Sequence, residues 1–193
     1  MDSAWGDVPT WLGVVGAVIV FWLGRAEYRI SQQWKRSEFL AAEVDRFFGQ
    51  PRVATALLLL DYSEIRLEFD GTRARQHTAT SVVLTDRVVT TALRIHTEFE
   101  NETEQFRADE MLAREAFDEL LTGFERFDHH IRVGLIEIEE LKVYLGYWVE
   151  KLVDPSSEWK PPDFYEAVAG FVKAYQYVGA AHLFEVFDHP LRA

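Results

Sequence analysis

From Val8 to Gly24 the chain runs seventeen residues without a charge and then stops at Arg25. Hydrocarbon offers no hydrogen bonds, so a segment of this kind must satisfy its own backbone as a helix. Crossing a core of roughly 30 Å takes about 20 apolar residues, with about 17 at the short limit. The run therefore predicts a single N-terminal transmembrane helix, an anchor over residues 1–24. Asp7 suits the N-cap, and Pro9 suits a first turn, where its missing N–H costs nothing. Trp11 and Trp22 fall near opposite ends of the run, where indole rings favour the membrane interface. Gly13 and Ala17 have the small-xxx-small spacing that lets two such helices approach closely.

The flanks give an orientation. Asp2 and Asp7 precede the run, while Arg25, Arg29, Lys35 and Arg36 follow it. The positive-inside bias then puts the N-terminus outside and the C-terminal domain in the cytoplasm. A secretory signal would open basic and close on small residues, and this segment does neither. An interfacial helix would need a polar face, which is absent. The first partner implied is a lipid bilayer.

Downstream, a helical period dominates. Ile30, Trp34, Leu40, Val44 and Phe47 recur as one face of a helix over 25–48. Nothing interrupts the chain before it, so the anchor is expected to continue inward as a juxtamembrane stalk, about 60 Å of helix from Pro9 to Phe48. Gly49-Gln50-Pro51 stops it and starts the next helix. Leu57 to Leu60 leave that second helix little solvent face. Ile65 to Phe69 alternates apolar and charged residues, then enters Asp70-Gly71, which reads as a strand and turn. Ser81 to Leu84 is its expected partner, across a polar loop carrying Arg73, Arg75 and His77. Thr85 or Asp86 caps a helix through Val88, Val89, Leu93 and Ile95. Phe117, Leu120, Phe124, Phe127 and Ile131 form a heptad-like seam. Ile138, Leu141, Leu145, Trp148 and Leu152 repeat that spacing. Prolines at 155, 161 and 162 make a loop, and one last helix is expected from about Asp163 to Phe187. The fold class is thus mainly α: an anchor, a stalk and, over 49–193, a cytoplasmic helical bundle with a small β-hairpin insertion.

Composition limits the function. The chain of 193 residues has a formal net charge of −12 and no cysteine. Thiol chemistry, disulfides and Cys-ligated zinc are excluded, and so negative a domain repels nucleic acid. Metal sites need more than one helical pair of ligands. Glu125 and His129, His96 and Glu100, and His182 and Glu185 each make one pair, short of the three protein ligands of a catalytic zinc. No Glu-x-x-His motif of a di-iron bundle occurs. The acidic passage Glu98 to Glu110 lacks calcium-loop spacing and reads as a solvated face. No phosphate cradle or nucleophile elbow is present, so no catalytic residue, metal or cofactor is assigned. What remains is a possible interaction patch of Tyr147, Trp148 and Trp159, because exposed Tyr and Trp favour interfaces.

Phe124 to Ile136, reading Phe-Glu-Arg-Phe-Asp-His-His-Ile-Arg-Val-Gly-Leu-Ile, is followed by an acidic start and the pair Tyr147-Trp148. These phrases resemble a group of uncharacterised bacterial single-pass membrane proteins with a cytoplasmic helical domain. The resemblance implies the same architecture and an inner-membrane location, and it carries no functional residues. The expected role is a membrane-anchored interaction module that docks a protein partner or self-associates. A subunit of an oligomeric membrane effector or channel, using Gly13 and Ala17, is the alternative, and a metal-dependent enzyme using His129, His130 or the acidic passage comes third.

Overall fold

The computed structural model describes residues 8–68, 81–95 and 106–191, without the side chains of 8–13, 26 and 30. Two compact units result, residues 1–41 and 42–193. The first contains only helix α1 (Val8–Phe48), whose last turns belong to the second.

The expected anchor is corrected here. Among the described residues, no helix is long and apolar enough to cross a membrane. Seventeen uncharged residues make about 26 Å of helix at 1.5 Å per residue, short of the roughly 30 Å hydrocarbon core. Beyond Gly24 the same helix carries Arg25, Glu27 and Arg29. Ala17 and Trp22 lie in this stretch with exposed side chains, while those of Trp11 and Gly13 lie outside the described residues. The transmembrane part of the expected fold class is therefore set aside; its helical bundle and hairpin stand.

The second unit is built around one long helix. After α2 (Pro51–Asp61), strands β1 (Glu64–Glu68) and β2 (Ser81–Thr85) pair antiparallel, with Ile65 opposite Leu84 and Leu67 opposite Val82. Then follow α3 (Asp86–Ala92), α4 (Ala108–Arg132), α5 (Ile138–Val153), a single 3-10 turn (Pro155–Ser157), α6 (Pro162–Ala174) and α7 (Val178–Val186). Helix α4 packs against α2, α3 and α7, so it is the axis of the bundle. Four residues of its expected seam, Phe117, Leu120, Phe124 and Phe127, are buried, and the fifth, Ile131 at the last turn, is half-buried. Phe47, from the end of α1, stands edge-on to Phe127 with ring centroids 5.2 Å apart. It lies over Gly123, where any Cβ would overlap its ring. The leucine run splits: Leu57, Leu59 and Leu60 are buried and Leu58 faces out.

The chain ends in two helices where one was expected. Tyr175 to Tyr177 break it, because Gln176 takes a left-handed conformation, φ 58°. Tyr177 N–H then donates to Val172 O and Gln176 N–H to Lys173 O, the Schellman pattern that closes a helix. Periodicity continued across the break and hid it. The loop residues Arg73, Arg75 and His77, the pair His96 and Glu100, and most of the acidic passage lie outside the described residues.

Candidate functional site

The interaction-patch residues lie on α5 and on the connection to α6, and the structure brings them together around a lysine. Lys151 lies one helical turn beyond Tyr147, so the two share a face of α5. Its ammonium sits 4.6 Å from the Tyr147 ring centroid and 4.1 Å from that of Trp159. Nζ donates to Asp61 Oδ1 at 2.5 Å, and the Tyr147 hydroxyl donates to the same oxygen at 3.0 Å. Asp61 closes α2, so this cluster fastens α2 to α5. Burial works against the lysine's charge. The hydrogen bonds to Asp61 and Tyr147 outweigh it and hold the ammonium above its ordinary pKa.

A second buried lysine fixes the other side. Lys160 Nζ donates to Asp86 Oδ1 at 2.6 Å and to the Tyr62 carbonyl at 2.8 Å. It ties the α5–α6 connection to the first residue of α3 and to the end of α2. Asp154 caps the 3-10 turn by accepting from the Ser156 N–H at 2.9 Å and hydroxyl at 2.6 Å. Those bonds, with His189 behind them, keep its carboxyl below the usual range. Glu158, beside Trp159, is held left-handed at φ 55°.

Between these anchors the aromatic rings stay accessible. Tyr147 is 51% exposed, Trp159 54% and Tyr62 58%. Trp148 is half-buried and packs edge-on against Tyr147 at 4.9 Å. The expected trio is therefore split: Tyr147 and Trp159 present their rings, and Trp148 braces one of them. Asp61 and the two buried lysines were missed. The signal for them lay in Lys151, which interrupts an apolar helix face between Trp148 and Leu152. The geometry gives a rigid, exposed aromatic surface. Its two cations are already neutralised by Asp61 and Asp86, and Glu150 and Glu158 are exposed beside it.

Two of the helical pairs read as candidate ligands have their groups engaged elsewhere. Asp128, buried on α4, accepts from Arg132 Nε at 2.7 Å and lies 2.5 Å from His182 Nδ1. Glu125 Oε1 accepts the N–H groups of Gly179 and Ala180 at 2.6 and 3.0 Å, which are unpaired donors of the α7 N-terminus. So Glu125 is spent on capping α7 and is not paired with His129. His182 turns to Asp128 rather than to Glu185. Among the described residues no group of three or more His, Asp or Glu could hold a metal.

No known protein family matches the chain, and no curated protein or solved structure is significantly similar to it.

Proposed function

We propose that this protein is a helical interaction module whose Tyr147–Trp159 face docks a basic segment of a protein partner. One observation carries the reading. The rings of Tyr147 and Trp159 are pinned by a buried Lys151 yet about half exposed, so they are ordered before any partner arrives. Preordered aromatic side chains lose little entropy on binding and dominate interface energetics. The partner's chemistry follows from charge. The chain carries −12 overall, and the carboxylates bordering the rings are the charges left to meet a ligand. Arginine or lysine on the partner would stack on the rings and face Glu150 and Glu158.

The test is photo-crosslinking from position 144, on the exposed side of α5, in the full chain within its own cells. A discrete crosslinked protein, joined through a basic peptide and lost on Trp159→Ala, is the expected result. Trp159→Ala should weaken the isolated complex by about 2 kcal/mol, the size of an interface hot spot. Crosslinks that persist in Trp159→Ala, or that map to acidic peptides, reject the assignment.

A second reading rests on a separate feature. Val14, Val15, Val18, Ile19, Val20, Phe21, Trp22 and Leu23 are all at least half exposed on α1. Two copies of the chain could bury them against each other, with Ala17 permitting close approach. Sedimentation of the full chain and of Ala17→Leu would separate the two. An oligomer that dissociates on substitution supports this reading; a monomer removes it.

A further inference from the structure

The α6–α7 corner that broke the expected terminal helix also opens a cleft. It is an open groove of about 660 Å³, within the size range of small-molecule sites. Its walls are apolar: Ala169 and Val172 of α6, Val178 and Ala181 of α7, and Leu191 from the tail. Lys173, Gln176 and Glu166 are exposed at the rim, with Glu166 two turns from Lys173 along α6 and Gln176 just past the end of that helix. Tyr177 also lines the cleft, but its hydroxyl donates to Asp118 and is not available to a ligand. Burial and that carboxylate hold the Tyr177 phenol protonated well above its ordinary range.

Two features mark one end of the cleft for an anion. Lys173 is exposed and has no carboxylate partner among the described residues, unlike Lys142, Lys151 and Lys160, which each hold an aspartate. Gln176, three positions further on, also lines the cleft and holds a left-handed conformation that glycine would adopt without strain.

We propose that this cleft binds a small amphiphile, an apolar chain ending in a single carboxylate. The chain lies along Ala169, Val172, Val178 and Leu191, and the carboxylate meets the Lys173 ammonium and the Gln176 amide. Glu166, at the opposite end, disfavours the reversed orientation. The site is separate from the aromatic face on α5, and either assignment can fail without the other.

The experiment titrates the full chain with decanoate, decanol and decylamine, following the methyl resonances of Val172, Val178 and Leu191. Decanoate should shift these methyls and bind more tightly than either analogue. Lys173→Gln should weaken decanoate about 10-fold while leaving decanol unchanged, the effect of losing one exposed charge contact worth about 1.4 kcal/mol. Val178→Asp, at an exposed position, should abolish decanol binding as well, with the unfolding midpoint followed in parallel to confirm that the fold persists. Gln176→Gly should raise the unfolding midpoint yet weaken decanoate, separating backbone strain from ligand contact. Absent methyl shifts, decylamine binding as well as decanoate, or a Lys173→Gln protein that binds decanoate normally would each overturn the proposal.

Discussion

His130 shows how a single side chain couples this fold to pH. It lies near the end of α4, and burial lowers its pKa below the ordinary 6.5. Glu43 opposes that shift, while His129 and Arg126 add to it. In the unfolded chain the imidazole titrates at its ordinary value. As pH falls through 6.5 the unfolded chain therefore takes up the proton first. The stabilisation is complete above that pH and is lost as pH drops toward the lower native value. We expect the urea midpoint of the native protein to fall between about pH 7.5 and pH 5.5, and the fall to be shallower in His130→Gln, since glutamine does not titrate in this range. Equal slopes in the two proteins would show that the group is not linked to folding.

Gly123 makes a steric argument at the same scale. With Phe47 seated directly on it, Gly123→Ala forces the ring or the helix to move. Overpacking of this kind costs about 1–3 kcal/mol. Chemical denaturation should show that loss, and Gly123→Ala combined with Phe47→Leu should recover part of it. Neither residue announced the contact. Phe47 was legible as a core position from its spacing, but which side chain it meets depends on how α1 crosses α4, and no local pattern encodes that.

Among the elements, α7 is the one whose existence depends on a neighbour. It has nine residues and no side-chain cap of its own. A helix this short is marginal alone. Glu125 supplies the cap from across the bundle, with its charge at the positive end of the helix dipole. Glu125→Ala should destabilise the protein by about 1–2 kcal/mol, the range measured for lost N-caps. Hydrogen exchange should place the loss in 178–186; a uniform change across the molecule would argue against it. Gly179 belongs to the same device, since a Cβ there would stand 3.0 Å from carboxylate oxygens of both Glu125 and Asp128. In the sequence Glu125 looked like half of a metal pair with His129, because ligands and caps use the same carboxylate. The hairpin was easier to read. Alternation at Ile65 and Leu67 sets which side of the strand is inward, and Thr85 accepts from Val88 N–H to start α3 as its position suggested.

For the whole molecule, the division at residue 41 carries a prediction. The large apolar side chains from Val14 to Leu23 are exposed, and the buried core among the described residues begins at Leu40. Deleting residues 1–24 should therefore leave the thermal unfolding transition of the remainder within a few degrees of the full chain, as expected when little buried area is removed. A loss of cooperativity would show that residues 1–24 are part of the folding unit. If the deleted protein still crosslinks from position 144, the aromatic face acts without residues 1–24.

The helical class, the hairpin and the burial of Phe117, Leu120, Phe124 and Phe127 were all legible in the order of residues along the chain. These are consequences of period, and a repeat of 3.6 or 2 is a property of the chain alone. The sequence also ruled out thiol chemistry, because a missing residue type is missing in every fold. Tertiary structure decided the rest. It assigned Asp61 to Lys151, Asp86 to Lys160 and Glu125 to α7, pairings that span 90, 74 and 54 positions along the chain. It broke the last helix at Gln176 and opened a cleft there. Such partnerships depend on which surfaces meet in three dimensions, and a charged residue carries no local mark of the distant partner that will neutralise it.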